Sequence, residues 1–95
     1  MMLPQDTLKV VTMTDKIADD CKNGKNNHAL IIPLNRGYRM VSSRYFGNDK
    51  TKPIFELQEK GLILFWRWKT FFKWYLDEFK TPVSLDTNNQ PIKKS

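Results

Sequence analysis

The sequence is poor in cysteine, histidine and glycine, with one, one and four of these residues among 95. One cysteine excludes an intramolecular disulfide framework. One cysteine with one histidine excludes a zinc finger, a zinc ribbon and any site that needs two histidines. The glycines at positions 24, 37, 47 and 61 are spaced as turns rather than as a phosphate-binding loop. We therefore expect no cofactor, no metal site and no catalytic residues of these kinds.

Long apolar runs are also missing. The longest, residues 62–66, has five residues and ends at Arg67, whereas a membrane-spanning helix needs about 20 apolar residues. Residues 1–6 lack a basic region followed by an apolar stretch, so we expect no secretion signal. A single cysteine fits a reducing compartment. These features predict a cytoplasmic protein, in the host cytoplasm if the gene is viral.

The remaining composition is that of a globular domain, since 40% of the residues are hydrophobic and 27% are charged. A chain of 95 residues has room for one domain. The last residues are polar and carry little that could join a core. We predict a single α+β domain over residues 1–82 and a flexible polar tail over residues 83–95.

The N-terminal part is predicted to form a helix over roughly residues 5–22. Pro4 suits the first helical turn, and Asn23-Gly24 provides a stop. Apolar side chains recur every four residues and therefore share one helical face: Met13, Ile17 and Cys21. The β-branched run at residues 10–12 leaves a strand as the alternative for the early part.

The middle of the chain reads as an antiparallel meander. Runs of alternating or β-branched residues are separated by turn residues, which predicts strands at residues 29–34, 38–46 and 53–58. In the third strand, Phe55 and Leu57 are expected to point inward. Glu56 and Gln58 then point outward.

Residues 62–80 allow two interpretations, one as a strand followed by a helix and one as a single helix. A strand over 62–69 is favoured, because a helix there would be apolar nearly all round. Thr70 can then cap a C-terminal helix that ends at Thr81-Pro82. The predicted fold class is α+β: an antiparallel three- to four-stranded β-meander flanked by an N-terminal and a C-terminal helix, both on one sheet face.

Positive charge and aromatic rings coincide in the second half of the chain. The formal net charge is +6, and residues 36–80 hold ten basic and five acidic residues, whereas residues 1–35 hold four of each. Cations attract phosphates, and aromatic rings stack on bases. The residues predicted to bind are Arg36, Tyr38, Arg39, Arg44, Tyr45, Trp66, Arg67 and Lys69.

This pattern predicts a small non-enzymatic binding module that engages nucleic acid or a nucleic-acid-handling complex, with Tyr38, Tyr45 and Trp66 as stacking residues. The expected partner is nucleic acid or an acidic protein or nucleoprotein, and the edge strand that carries Pro33 leaves a homodimer open. The competing interpretation is that the tryptophans form the core, with Arg and Lys stems over their edges. His28, in an Asn-rich loop, is expected to be solvated.

Two alternatives come from other functional classes. Arg, Trp and Tyr dominate interface hot spots, which favours a protein–protein inhibitor or adaptor, and short Lys/Asn-rich domains are common among phage accessory proteins. One hairpin also carries, on or beside it, Arg36, Tyr38, Arg39, Arg44 and Tyr45. In size, charge and β-meander the chain resembles small bacterial mRNA-cleaving toxins. That resemblance implies a histidine-independent ribonuclease using Arg, Lys and Tyr, although those toxins carry a longer helical region before the sheet.

Overall fold

The computed structural model describes residues 3–25, 29–35, 37–61 and 67–92. These residues form a small α+β domain in which one helix covers a five-stranded antiparallel sheet of order β1-β2-β3-β4-β5. The elements are α1 (Pro4–Lys22), β1 (Leu30–Pro33), β2 (Tyr38–Tyr45), β3 (Pro53–Lys60), β4 (Trp68–Leu76) and β5 (Pro82–Ser84). In this part of the chain, no helix is long and apolar enough to span a membrane.

The predicted N-terminal helix is confirmed, including residues 10–12, for which a strand was the alternative. Pro4 stands at its first turn, and the Asp6 carboxylate accepts the backbone N–H of Leu3 at 3.2 Å. This hydrogen bond satisfies the backbone N–H of Leu3, which has no acceptor inside the helix. The buried side chains recur every three or four residues along one face: Asp6, Val10, Thr14, Ile17, Ala18 and Cys21.

The hydrophobic core lies between this face of α1 and one face of the sheet. Phe55 is completely buried, and its ring lies 5.7 Å from that of Trp74, which is itself buried. Leu57 points the same way as Phe55, as the alternation of β3 predicts, and Glu56 and Gln58 point away. For Trp74 the core interpretation is therefore confirmed.

Two lysines fasten α1 to the sheet at its two sides. Lys9 Nζ donates to the Pro33 carbonyl of β1 at 3.0 Å. Lys80 Nζ, in the β4–β5 turn, lies 3.0 Å from carboxylate oxygens of Asp15 and Asp19. Hydrogen bonds to these two carboxylates raise the pKa of Lys80 above its usual value.

The predicted C-terminal helix is not confirmed, because residues 68–76 form β4. The aromatic pattern was misleading for a local reason. A register shift opposite Leu57 and Gln58 inserts Phe71 as an extra residue into β4. Because of the bulge, two apolar residues, Phe71 and Phe72, follow each other where a regular strand would alternate. Adjacent apolar residues are common on the buried face of a helix, which led to the helix prediction. Of the predicted strand over 62–69, residues 62–66 lie outside the described residues.

The predicted strand count is not confirmed either, since β5 adds a fifth strand after Pro82. β5 is followed by a turn at residues 86–90 in which Asp86 Oδ1 accepts the backbone N–H groups of Asn88 and Gln90. We call residues 86–90 the C-terminal turn. It is anchored by a bridge between Leu85 and Pro91, and only 5% of Leu85 is exposed.

Candidate functional site

The sheet face opposite α1, here called the open face, is divided along its strands into two halves. Toward the β2–β3 turn it is closed. Ile54 is 1% exposed, and the rings of Phe46 and Tyr75 stack above this region with centroids 4.3 Å apart. Leu85 is also buried but does not belong to the core beneath α1. This closed half is a second, smaller packed layer.

The C-terminal turn lies over the closed half. Lys73 Nζ donates to Asn89 Oδ1 at 2.7 Å and to the Thr87 carbonyl at 3.4 Å. The turn also borders a recess beside Arg44 and Tyr45 of β2. Among the described residues, the hydrogen bonds of this turn to the sheet reach no further than Lys73. We call the part of the open face from Lys73 to the sheet end at Lys60 and Trp68 the uncovered half.

In the uncovered half, side chains of three strands form a directed series of hydrogen bonds that we call the relay. Arg39 Nε donates to Gln58 Oε1 at 2.7 Å, and Gln58 Nε2 donates to Thr70 Oγ1 at 3.1 Å. Thr70 Oγ1 lies 3.0 Å from Glu56 Oε1, to which its single proton is donated. The relay therefore has a cation at one end and a carboxylate at the other.

Arg39 is held on a second side by an aromatic ring. Its guanidinium carbon lies 4.3 Å from the ring centroid of Trp68, a distance typical of a cation–π contact. Both side chains are half-buried. The hydrogen bond to Gln58 uses one of the five N–H donors of the guanidinium. Arg39 is thus pre-positioned, with its plane and the indole both presented at the surface.

The sheet end beside this pair concentrates positive charge. Tyr38, Glu59 and Lys69 are paired across β2, β3 and β4, and Lys60 is paired with Trp68. Gly61 N–H donates to the Arg67 carbonyl at 2.9 Å, which brings the ends of β3 and β4 together. We call this region the basic end. Its four cations and one carboxylate are Arg39, Lys60, Arg67, Lys69 and Glu59.

The structure brings four of the predicted binding residues to the basic end: Tyr38, Arg39, Arg67 and Lys69. They do not share one surface. Tyr38 and Lys69 both pair with Glu59, from the two strands that flank β3. They therefore lie on the side of the sheet opposite Arg39. The Tyr38 ring meets the Phe71 ring edge-on with centroids 6.0 Å apart. Only Arg39 of these four joins the relay.

Two other predicted residues lie at the far end of β2. Arg44 is exposed, and its partner Ile54 is four residues from Gln58, the partner of Arg39, so the two arginines are about 13 Å apart along the sheet. Tyr45 packs against the core beneath α1. Of the residues on which the ribonuclease interpretation is based, Tyr38 and Arg39 therefore lie at one end of β2, and Arg44 and Tyr45 lie at the other. Arg36, Trp66 and His28 lie outside the described residues.

Four members of the uncovered half were not among the predicted binding residues: Glu56, Gln58, Trp68 and Thr70. The outward positions of Glu56 and Gln58 were predicted, but their joint role depends on the register of three strands. Glu56 and Thr70 also border a recess of about 520 Å³. Its other lining residues come from β4 and the C-terminal part of the chain: Phe71, Phe72, Lys73, Leu85, Asp86, Thr87 and Ile92.

A second cavity lies on the helix side. It is a largely apolar groove of about 420 Å³ between α1 and strands β4 and β5, lined by Val11 and Phe72 among others. Val11 is 59% exposed and Phe72 is 40% exposed. We call it the apolar groove. It has the size of a ligand pocket, and the ion pair of Asp15 with Lys80 lies at its edge.

Reactive and metal-binding groups are sparse in the described ranges. Cys21 is buried, as predicted, and burial raises the pKa of its thiol, with a further rise from Asp20. Such a thiol is a poor nucleophile. Among the residues that the structure describes, no group of three or more His, Cys, Asp or Glu side chains could hold a metal ion.

Comparison of the chain with protein-family models, with curated proteins and with solved structures finds no match. The functional argument therefore depends on the side chains of the open face and their chemistry.

Proposed function

We propose that the protein is a non-enzymatic module that binds single-stranded nucleic acid through the uncovered half of its open face. The observation that carries the proposal is the Arg39–Trp68 pair, with the guanidinium carbon 4.3 Å from the ring centroid and its Nε held by Gln58. A cation and a ring fixed together offer one contact for a phosphate and one for a base.

A single strand suits this surface better than a duplex. Bases stacked inside a duplex cannot reach a flat sheet face, whereas unpaired bases can stack on aromatic rings or on guanidinium planes. The uncovered half offers both planes at Arg39 and Trp68, followed by polar groups of the relay. The surface thus alternates between a stacking contact and hydrogen-bonding contacts along one line.

The basic end supplies the electrostatic part of the affinity. Three phosphate contacts on a single strand would give a slope of about −2 in a plot of log affinity against log salt concentration. We expect binding to weaken accordingly between low and moderate salt. An affinity that does not change with salt contradicts the proposal.

The test is fluorescence anisotropy with labelled RNA and DNA strands of about ten nucleotides. We expect Arg39→Ala to weaken binding about tenfold or more, because it removes a phosphate contact and the partner of Trp68. Arg44→Ala is the matched control, since it removes the same charge from the same strand at the far end. Equal losses in the two variants would show that only net charge matters.

The same samples test the absence of enzymatic activity. The RNA should remain intact after prolonged incubation with folded protein. Cleavage that fails in Arg39→Ala would favour the ribonuclease alternative instead.

A protein–protein adaptor is the second candidate, and the apolar groove is the observation that favours it. Its exposed apolar side chains, Val11 and Phe72, fit a partner's hot spot. A partner that stays bound after nuclease treatment and is lost in Val11→Glu would support this function. Val11 is exposed on α1, so the substitution should leave the fold intact.

A further inference from the structure

We infer that the recess next to the relay is a guanine-binding subsite, an inference that rests on the proposed binding of single strands. The polar lining of the recess includes a carboxylate, an ammonium group and a hydroxyl from adjacent strands: Glu56, Lys73 and Thr70. A second carboxylate, Asp86, is engaged by the backbone N–H groups of Asn88 and Gln90. The recess volume of about 520 Å³ is in the usual range of small-molecule sites.

Two residues of opposite charge are paired across β3 and β4 at the recess, and their charged groups are bound to different partners. Glu56 of β3 and Lys73 of β4 are direct partners in register, so their Cβ atoms are about 5 Å apart. The Lys73 ammonium group donates two hydrogen bonds, to Asn89 Oδ1 and to the Thr87 carbonyl, rather than to Glu56. An ammonium group has three N–H donors, so one remains for a ligand.

The relay fixes what Glu56 can do. Thr70 donates to Glu56 Oε1, and this contact orients the carboxylate while leaving lone pairs on both oxygens. Since Thr70 in turn accepts from Gln58, its own proton is committed to Glu56. The recess therefore presents an oriented acceptor beside a donor.

Guanine is the base whose edge complements this order of groups. Its Watson–Crick edge carries the O6 acceptor, the N1–H donor and the N2–H donors in sequence. Lys73 can donate to O6, as lysine commonly does, while the Glu56 carboxylate accepts from N1–H and N2–H together. Adenine and cytosine each place an acceptor nitrogen next to their amino group, and uracil flanks one donor with two carbonyls, so each would face the carboxylate with a lone pair.

The subsite lies one step along the sheet from the Arg39–Trp68 pair. Arg39 is in register with Gln58, and Glu56 is two residues further along β3, which is about 7 Å. That distance suits consecutive nucleotides of an extended strand. One base can stack at Arg39 and Trp68 while the next enters the recess.

The experiment compares strands of thymidine that carry one central guanosine, inosine, adenosine or cytidine, with the all-thymidine strand as reference. We expect guanosine to bind about tenfold tighter than the reference, as a bidentate contact to the correct base provides. Inosine, which lacks the N2 amino group, should fall between the two. The bases adenine and cytosine should give no gain.

The decisive variant is Glu56→Gln, which keeps an oxygen for Thr70 but loses the second anionic acceptor. Its preference for guanosine over thymidine should vanish, whatever change the lost charge makes to the affinity that all five strands share. Glu59→Gln, which removes the same charge at the basic end, is the matched control and should keep the preference.

The outcomes separate the two proposals. Equal affinity for all five strands overturns the guanine subsite and leaves single-strand binding standing. A preference for guanosine that survives in Glu56→Gln also overturns the subsite. Failure to bind any strand overturns the proposed function itself.

Discussion

The two faces of the sheet belong to the same strands and are stabilised in different ways. Beneath α1, rings and aliphatic side chains pack closely, with Phe55 fully buried and in contact with Trp74. On the uncovered half of the open face, Arg39, Gln58 and Thr70 are joined through hydrogen bonds of defined direction. The face beneath α1 is specified by the volumes of its side chains. The uncovered half of the open face is specified by the order of its donors and acceptors.

Under the proposed function, this difference separates the face that stabilises the fold from the face that binds the partner. A packed apolar face tolerates substitutions that conserve volume, because its contacts have little directionality. A relay tolerates few polar exchanges, because each donor needs its acceptor. The two tryptophans illustrate this division, since Trp74 lies in the core and Trp68 lies at the surface under Arg39.

The largest expected effect on stability comes from replacing each of these two tryptophans with alanine in separate variants. Trp74→Ala should lower the free energy of unfolding by about 3–5 kcal/mol, because it empties a site between Phe55 and Phe72. Trp68→Ala should cost less, about 1–2 kcal/mol, because it removes a half-buried ring and its cation–π contact with Arg39. Urea unfolding measures both. Similar losses in both variants would mean that the two faces share one packed core.

A middle-sized effect is expected from Thr70→Val, which keeps the shape of the side chain but removes the hydroxyl. Gln58 loses an acceptor and Glu56 loses a donor, so the free energy of unfolding should fall by about 1–2 kcal/mol. Thr12→Val, at an exposed position of α1, is the control and should change it little. A loss no greater than that of the control would show that the relay is dispensable.

The smallest effect concerns pH. The pKa of Lys80 is raised in the folded state by Asp15 and Asp19. Its contribution to stability is therefore present below the unfolded pKa and is lost as the pH rises through the folded one. Wild type should exceed Lys80→Met in melting temperature at neutral pH, and the gap should close above about pH 10. A gap that persists at high pH would assign the effect to packing.

Much of the helix-covered side could be predicted from the sequence. The recurrence of Ile17 and Cys21 gave the buried face of α1, and alternation gave the inward positions Phe55 and Leu57. Each of these patterns is local, since it depends only on the period of a helix or a strand. The turn position of Gly37 was likewise predicted, and this glycine, which precedes β2, adopts a φ of +76°.

The rest depended on pairing between distant residues. A single extra residue, Phe71, disturbs the alternation of β4, and only the register with β3 reveals it. The Arg39–Trp68 contact joins two strands that are not neighbours in the sheet, and no spacing along the chain indicates it. Charge and aromatic content pointed to the second half of the chain as the binding surface, but only register shows which side chains of that half share a surface.

The strand order has a consequence for how quickly the chain can fold. Every pairing in the sheet joins strands that follow one another along the chain, so each hairpin closes a short loop at low entropic cost. Such sequence-local pairing favours rapid folding for a β-rich domain. The docking of α1 onto β3 spans a much longer stretch of chain. We therefore expect the hairpins to form early and the arrival of the helix to set the rate.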